Sequence, residues 1–181
     1  MSKFKMLIMY SVLLWNINAF AQTIDQGADS RGYKVKVGDN CPAFTMTLAD
    51  GSKMNTTDFI GKVVMLQFTA SWCMVCKNEM PYIESDIQQK YIGRKDFILI
   101  GIDRDEPIDK VNAFALQMKI TYPLALDPGA TIFQLFAAKE AGVTRNVILD
   151  RTGKIIFLTR LYDEEEFKAM KQVIEDALSK P

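Results

Sequence analysis

Ten residues restrict this chain more than any other stretch: Trp72-Cys73-Met74-Val75-Cys76-Lys77-Asn78-Glu79-Met80-Pro81, shortly after the apolar run from Lys62 to Phe68. That run is short, β-branched and bulky, which reads as a buried strand. A helix is expected to begin at Cys73. Two cysteines three apart at a helix start share one face, close enough to form and break a disulfide without moving the backbone. Cys73 then lies at the first turn, where unpaired N–H groups and the positive end of the helix dipole favour a thiolate, while Cys76 lies a turn deeper. The asymmetry assigns Cys73 as attacking thiol and Cys76 as resolving thiol.

A C-x-x-C pair is also half of a zinc site. Four-coordinate zinc needs two more Cys or His ligands, and the chain has no histidine and one further cysteine, Cys41. The ligand count favours redox chemistry, which calls for no cofactor and no metal ion. Cys41, just before Pro42, reads as a small apolar side chain at the start of a strand rather than a third redox thiol.

Trp72-Cys73-x-x-Cys76 with Glu79 and Pro81, together with Gly38-Asp39, Pro42-x-Phe44, Asp50-Gly51, Ala70-Ser71 and Ile148-Leu149-Asp150-x-x-Gly153-Lys154, resembles the thioredoxin-like thiol:disulfide oxidoreductases of the TlpA/ResA type. The resemblance extends from about Val37 to Lys180. It implies an α/β thioredoxin-like fold, with a central mixed sheet, helices on both faces and an N-terminal β-hairpin extension. It further implies exported targets such as apocytochrome c or other oxidised proteins, and a membrane thiol reductase as electron donor. In that family an acid at the position of Glu79 tunes the cysteines. Glu79 follows Cys76 by one helical turn, within reach of its proton.

Two positions depart from the pattern. Thioredoxins carry a buried Asp in the strand before the motif, where this chain has Gln67. A cis-proline usually faces the C-x-x-C, and counting back from Asp150 puts Thr144 there, preceded by Val143 facing Cys73. A cis bond before a non-proline residue costs about 3 kcal/mol, so a trans peptide and a reshaped partner-binding loop are expected. Trp72, Val143 and Thr144 are the candidate partner-binding residues. Peroxiredoxins share the fold and also lack the proline, and Arg145 resembles their active-site arginine, which makes a thiol peroxidase the alternative. Against it, Leu66 and Ala70 stand where the peroxidatic pattern has Pro and Thr. A second alternative is a non-enzymatic carrier of Cu(I) on Cys73 and Cys76. The ten methionines mostly follow apolar periodicity and read as core filling.

Residues 1–21 read as a cleavable signal peptide: Lys3 and Lys5, an apolar stretch from Met6 to Trp15, and Ala19-Phe20-Ala21 before Gln22. That stretch falls short of the ~20 apolar residues needed to span a bilayer, so no stable membrane insertion is expected after cleavage. A periplasmic location follows. Residues 22–36 read as a flexible leader, and 37–181 as one domain. With 22 basic and 22 acidic residues the chain has no basic cluster for nucleic acid.

Along that domain the patterning predicts a hairpin over Phe44–Leu48 and Lys53–Asn55, then a helical turn capped by Thr56 or Thr57. A helix runs past Pro81 through Ile83, Ile87 and Tyr91, followed by a strand from Phe97 to Ile102 and a solvated turn at Asp103–Glu106. A helix after Pro107, an edge strand at Tyr122–Leu124 and a brief helix near Ile132 that Gly142 can end come next. The chain closes with a hairpin around Arg151-Thr152-Gly153 and a helix capped by Asp163.

Overall fold

The polypeptide, described over residues 31–180 in a computed structural model, forms a seven-stranded mixed sheet in the order β2-β1-β5-β4-β3-β6-β7. The strands are β1 Thr45–Leu48, β2 Lys53–Asn55, β3 Val63–Thr69, β4 Phe97–Arg104, β5 Leu124–Asp127, β6 Arg145–Leu149 and β7 Ile155–Leu158. β3 pairs parallel with β4 and antiparallel with β6, which makes it an interior strand. The expected signal peptide, residues 1–21, lies outside the described residues.

The helices are α1 Met74–Ile83, α2 Gln89–Tyr91, α3 Ile108–Met118, α4 Phe133–Phe136 and α5 Glu164–Ser179. Alternation along β3 sorts the core: Val64, Leu66 and Phe68 join a cluster with Phe59, Phe133 and Phe136, while Val63 and Met65 join Met80, Ile83, Phe114, Phe167 and Ile174. α1, α3 and α5 therefore cover one face, and α4 with the N-terminal segment covers the other. Helices lie on both faces, as expected. Pro81 sits inside α1, and a π-helical turn, Glu84–Gln88, joins α1 to α2. The long helix continues past the proline, carrying Ile83 and Ile87 into the core.

Several expectations are corrected. The end of the supposed leader is packed: Tyr33 is fully buried, its hydroxyl donates to Thr159 O at 2.6 Å, and Lys34 N donates to Phe136 O. One buried aromatic outweighs the polar composition around it. β5 is not at an edge, because β1 pairs antiparallel along its outer side. The first helical turn, Thr56–Phe59, is capped by Asn55, whose side chain accepts from Thr57 N while Asp58 accepts from Asn55 N. α4 ends at Ala137, before Gly142. Asp103 and Glu106 are not solvated: Asp103 ends inside β4 opposite Thr69, and both side chains are buried.

Candidate active site

β3 ends at Thr69, and the short loop Ala70–Trp72 delivers Cys73 to the N-cap of α1. Cys73 has extended backbone, φ −88° and ψ 105°, and its Sγ accepts from Cys76 N at 3.1 Å. A sulfur thus does what a serine or aspartate oxygen does at an ordinary N-cap. Cys73 and Cys76 are joined in a disulfide with Cα atoms 5.3 Å apart. Cys73 retains 8 % exposure and Cys76 none, the asymmetry expected from their places on the helix. Trp72 and Met74 stand beside them at 59 % and 66 % exposure. Cys41 lies apart, half-buried, its thiol pushed up to about 12 by desolvation.

The residues at the proline position meet the dithiol. Thr144 Oγ1 lies 3.2 Å from Cys73 Sγ and 3.3 Å from Cys76 Sγ. Val143 is buried in the same apolar cluster as both cysteines. No peptide bond among the described residues is cis. Thr144 O accepts from Leu161 N at 3.2 Å and from Arg160 Nη1 at 3.5 Å.

Glu79 turns inward rather than toward solvent. At 2 % exposure its Oε1 accepts from Asn146 Nδ2 at 2.6 Å. Asn146 is cross-strand partner to Gln67, so the acid of α1 rests over the one polar pair in the middle of β3 and β6. Asn146 Nδ2 also donates to Thr159 Oγ1 at 2.9 Å, and Tyr122 Oη donates to Gln67 Oε1 at 2.8 Å. Burial pushes the Glu79 carboxyl up to about 7, against the pull of the Asn146 amide and, more weakly, the Gln67 amide. The Gln67 contact falls short of full hydrogen-bond geometry, leaving Gln67 Nε2 and Glu79 Oε2 without a closer partner. Gln67 cannot titrate, so among the residues of this network Glu79 is the one group that exchanges a proton near neutral pH. Tyr122, desolvated beside Glu79, is held well above its ordinary value.

A second buried acid supports the loop. Glu106 accepts from Ser71 N at 2.5 Å and from Ser71 Oγ at 2.6 Å, fixing the residue before Trp72. Asp103, whose contact with Glu106 falls short of full hydrogen-bond geometry, is raised to about 8 by burial first and then by the charge of Glu106. Asn146, Thr159, Glu106 and Asp103 did not emerge as site residues from sequence reasoning. The available signal was polarity inside apolar strands: Gln67 in β3 and Asn146 in β6 interrupt otherwise hydrophobic runs.

The arginine that raised the peroxidase alternative is fully buried. Arg145 Nε donates to Gly142 O at 3.1 Å and Nη2 to Arg31 O at 2.5 Å, and its guanidinium lies 4.3 Å from the Tyr33 ring centroid.

Comparison with known proteins places this geometry among relatives. The profile of the redoxin family matches residues 36–174. The thiol-disulfide oxidoreductase ResA of Bacillus cereus is 31 % identical over 180 residues, covering 99 % of this chain and 98 % of that protein. ResA of Bacillus thuringiensis subsp. konkukian is 30 % identical over the same share. The solution structure of a candidate protein disulfide isomerase from Bacteroides thetaiotaomicron superposes with a TM-score of 0.80 at 57 % identity, over 82 % of this chain and 94 % of that one. A candidate thiol:disulfide interchange protein DsbE from Chlorobium tepidum gives 0.70 at 27 % identity, over 80 % and 99 %. The thioredoxin-like fold expected from the motif is the one observed.

Proposed function

The chain belongs to the redoxin family, as a thiol-disulfide oxidoreductase related to ResA, and on that premise we propose that it is an exported reductant of protein disulfides. The carrying observation is the Cys73–Cys76 disulfide just beyond the end of the interior strand β3, less buried at Cys73, beside the exposed Trp72 and Met74. Cys73, as thiolate, attacks one sulfur of a partner disulfide, giving a mixed disulfide and releasing the partner's other sulfur as thiolate. Cys76 then loses its proton and attacks Cys73 Sγ. The Cys73–Cys76 bond forms, and the partner's second sulfur leaves reduced. Two electrons from a donor dithiol restore the enzyme.

Glu79 serves as proton modulator for Cys76. Its carboxyl, near half-ionised at neutral pH, accepts a proton as readily as it returns one. In the disulfide form no direct hydrogen bond joins it to either sulfur. Trp72, with Met74 beside it, offers apolar contact to the partner polypeptide, whereas Val143, expected to do the same, is buried and backs the dithiol from within the core. Export through residues 1–21 sets the compartment as periplasmic, and the family resemblance points to oxidised exported proteins, apocytochrome c among them, with a membrane thiol reductase upstream.

The test is Cys76→Ser in the native host. Without its resolving thiol the protein accumulates covalent adducts through Cys73, visible on non-reducing gels and identifiable by mass spectrometry. Absence of adducts that depend on Cys73 sinks the reading. A peroxidase would instead show rapid consumption of hydrogen peroxide in stopped flow. The commitment of the Arg145 guanidinium to backbone carbonyls and the Tyr33 ring gives that reading less support.

A further inference from the structure

Thr144 stands where related proteins place a proline, and its hydroxyl makes contacts that a proline ring cannot. Its Oγ1 is 3.2 Å from Cys73 Sγ and 3.3 Å from Cys76 Sγ, inside a pocket that leaves the residue 2 % exposed. Neither sulfur of the disulfide carries a hydrogen, so the hydroxyl is the donor in both contacts, directed to one sulfur at a time by rotation about Cβ–Oγ1. The chain has no histidine, and Met74 and Val75 put no charge between the thiols. Short-range donors therefore decide which sulfur holds negative charge, and the other such donor, Cys76 N–H at 3.1 Å, serves Cys73 alone.

The threonine is held from behind. Leu161, with a left-handed backbone of φ 67°, presents its N–H to Thr144 O, and Arg160 reaches the same carbonyl. The Arg160 guanidinium occupies the space over Gly142, where an added Cβ would lie 2.1 Å from Nη2. These contacts fix the backbone that aims the hydroxyl at the dithiol.

We propose that the Thr144 hydroxyl is a catalytic hydrogen-bond donor that serves whichever of the two active-site sulfurs carries negative charge at each step. In the reduced enzyme it donates to the Cys73 thiolate. After attack on the partner, that charge has left on the partner's released sulfur, and the hydroxyl turns to Cys76 as it becomes the resolving thiolate. When a donor dithiol later attacks Cys73 Sγ, the Cys73–Cys76 bond breaks and Cys76 again leaves as a thiolate that accepts from Thr144. No oxidant beyond the partner disulfide and no reductant beyond the donor dithiol is required. The proposal rests on the dithiol reading of the site.

The experiment compares Thr144→Val, Thr144→Ala and Thr144→Ser in the full chain. The reduced proteins are titrated by ultraviolet thiolate absorbance and by the pH profile of Cys73 alkylation with iodoacetamide, and disulfide-reduction rates are measured alongside. A hydrogen bond to an ionised sulfur corresponds to a rise of about one unit in the Cys73 pKa on its removal, roughly tenfold less thiolate at a given pH below it. Val and Ala are expected to show that rise with a matching loss of rate, and Ser to restore both. A Cys73 titration unchanged in Thr144→Val, or a Ser variant that behaves like Ala, overturns the proposal. Should Val misfold, the Ser and Ala pair differ by one hydroxyl and decide the matter. A wild-type protein with no dithiol turnover would sink the functional reading instead, which keeps the two failures apart.

Discussion

Asn146 Nδ2 donates to Glu79 Oε1 at 2.6 Å, tying strand β6 to the helix that carries both cysteines. This amide is the main stabiliser of the Glu79 carboxylate against desolvation. Replacing Asn146 with Leu should raise the Glu79 pKa above about 7, leaving the carboxyl protonated at neutral pH and the resolving step slower. Glu79→Gln should remove the ionisation near neutrality from the pH profile of turnover and slow the resolving step by about 100-fold or more. Single-turnover decay of a Cys73 mixed disulfide across pH measures both. A profile that keeps its inflection in Glu79→Gln would assign the ionisation elsewhere.

Two raised carboxyls give stability a pH dependence opposite to the common carboxylate case. Asp103 at about 8 and Glu79 at about 7 hold protons in the folded state that the unfolded chain, titrating at the ordinary carboxylate values of 3.8 and 4.5, has already released. Above those unfolded values the folded protein binds more protons, so stability falls as pH rises from about 4 to about 8 and levels off beyond. Asp103→Asn and Glu79→Gln should each flatten part of that slope and raise the urea midpoint at pH 8 relative to wild type. Midpoints measured at both ends of the range give the answer, and a rising wild-type slope would contradict it.

Glu106 holds the loop before the motif through Ser71 N and Oγ. Glu106→Ala should cost about 1–3 kcal/mol, since a charged acceptor is lost and the Ser71 donors lose their partner. The same change should lower the Asp103 pKa by removing a neighbouring negative charge. Thermal denaturation and carboxyl titration by NMR separate the two effects.

Tyr33 anchors the segment before residue 37 to the core. A chain starting at residue 37 should be less stable than one starting at residue 31 by about 3–5 kcal/mol, the range for removing a fully buried aromatic side chain. Equal melting of the two truncations would show that Tyr33 merely covers a core that is stable without it.

Gly101 lies opposite Leu124 in the parallel pair of β4 and β5, and a Cβ there would meet Leu124 Cδ2 at 2.3 Å. Gly101→Ala should destabilise by about 1–3 kcal/mol, because the neighbour is itself buried and must leave its rotamer. Comparison with Gly101→Ala combined with Leu124→Val tests the mechanism, the double variant recovering part of the loss.

The element order was legible because period-2 and helical patterns persist under tertiary packing. The dithiol was legible because C-x-x-C after an apolar strand has few other uses. What escaped was long-range pairing. Tyr122–Leu124 reads as an edge strand because nothing local says that β1 will cover it. Asp103 and Glu106 read as a solvated turn because charge is weighed residue by residue, whereas Asp103 is buried between Thr69 of β3 and Leu126 of β5 and Glu106 is tied to Ser71 in the loop before the motif. Thr144 was found by counting back to the proline position, yet its contact with both sulfurs depends on a backbone path that counting does not supply.

The amide at position 67 has a last consequence, set by stoichiometry. Reducing one partner disulfide transfers two hydrogens, but the buried network beneath α1 has a single carboxyl, Glu79, able to store one. Cys73 enters as a thiolate and brings none, so the partner's first released sulfur takes its hydron from bulk water at the mouth of the site. The two sulfurs of the partner thus draw on separate reservoirs, one a single buried carboxyl, the other as large as the surrounding solvent.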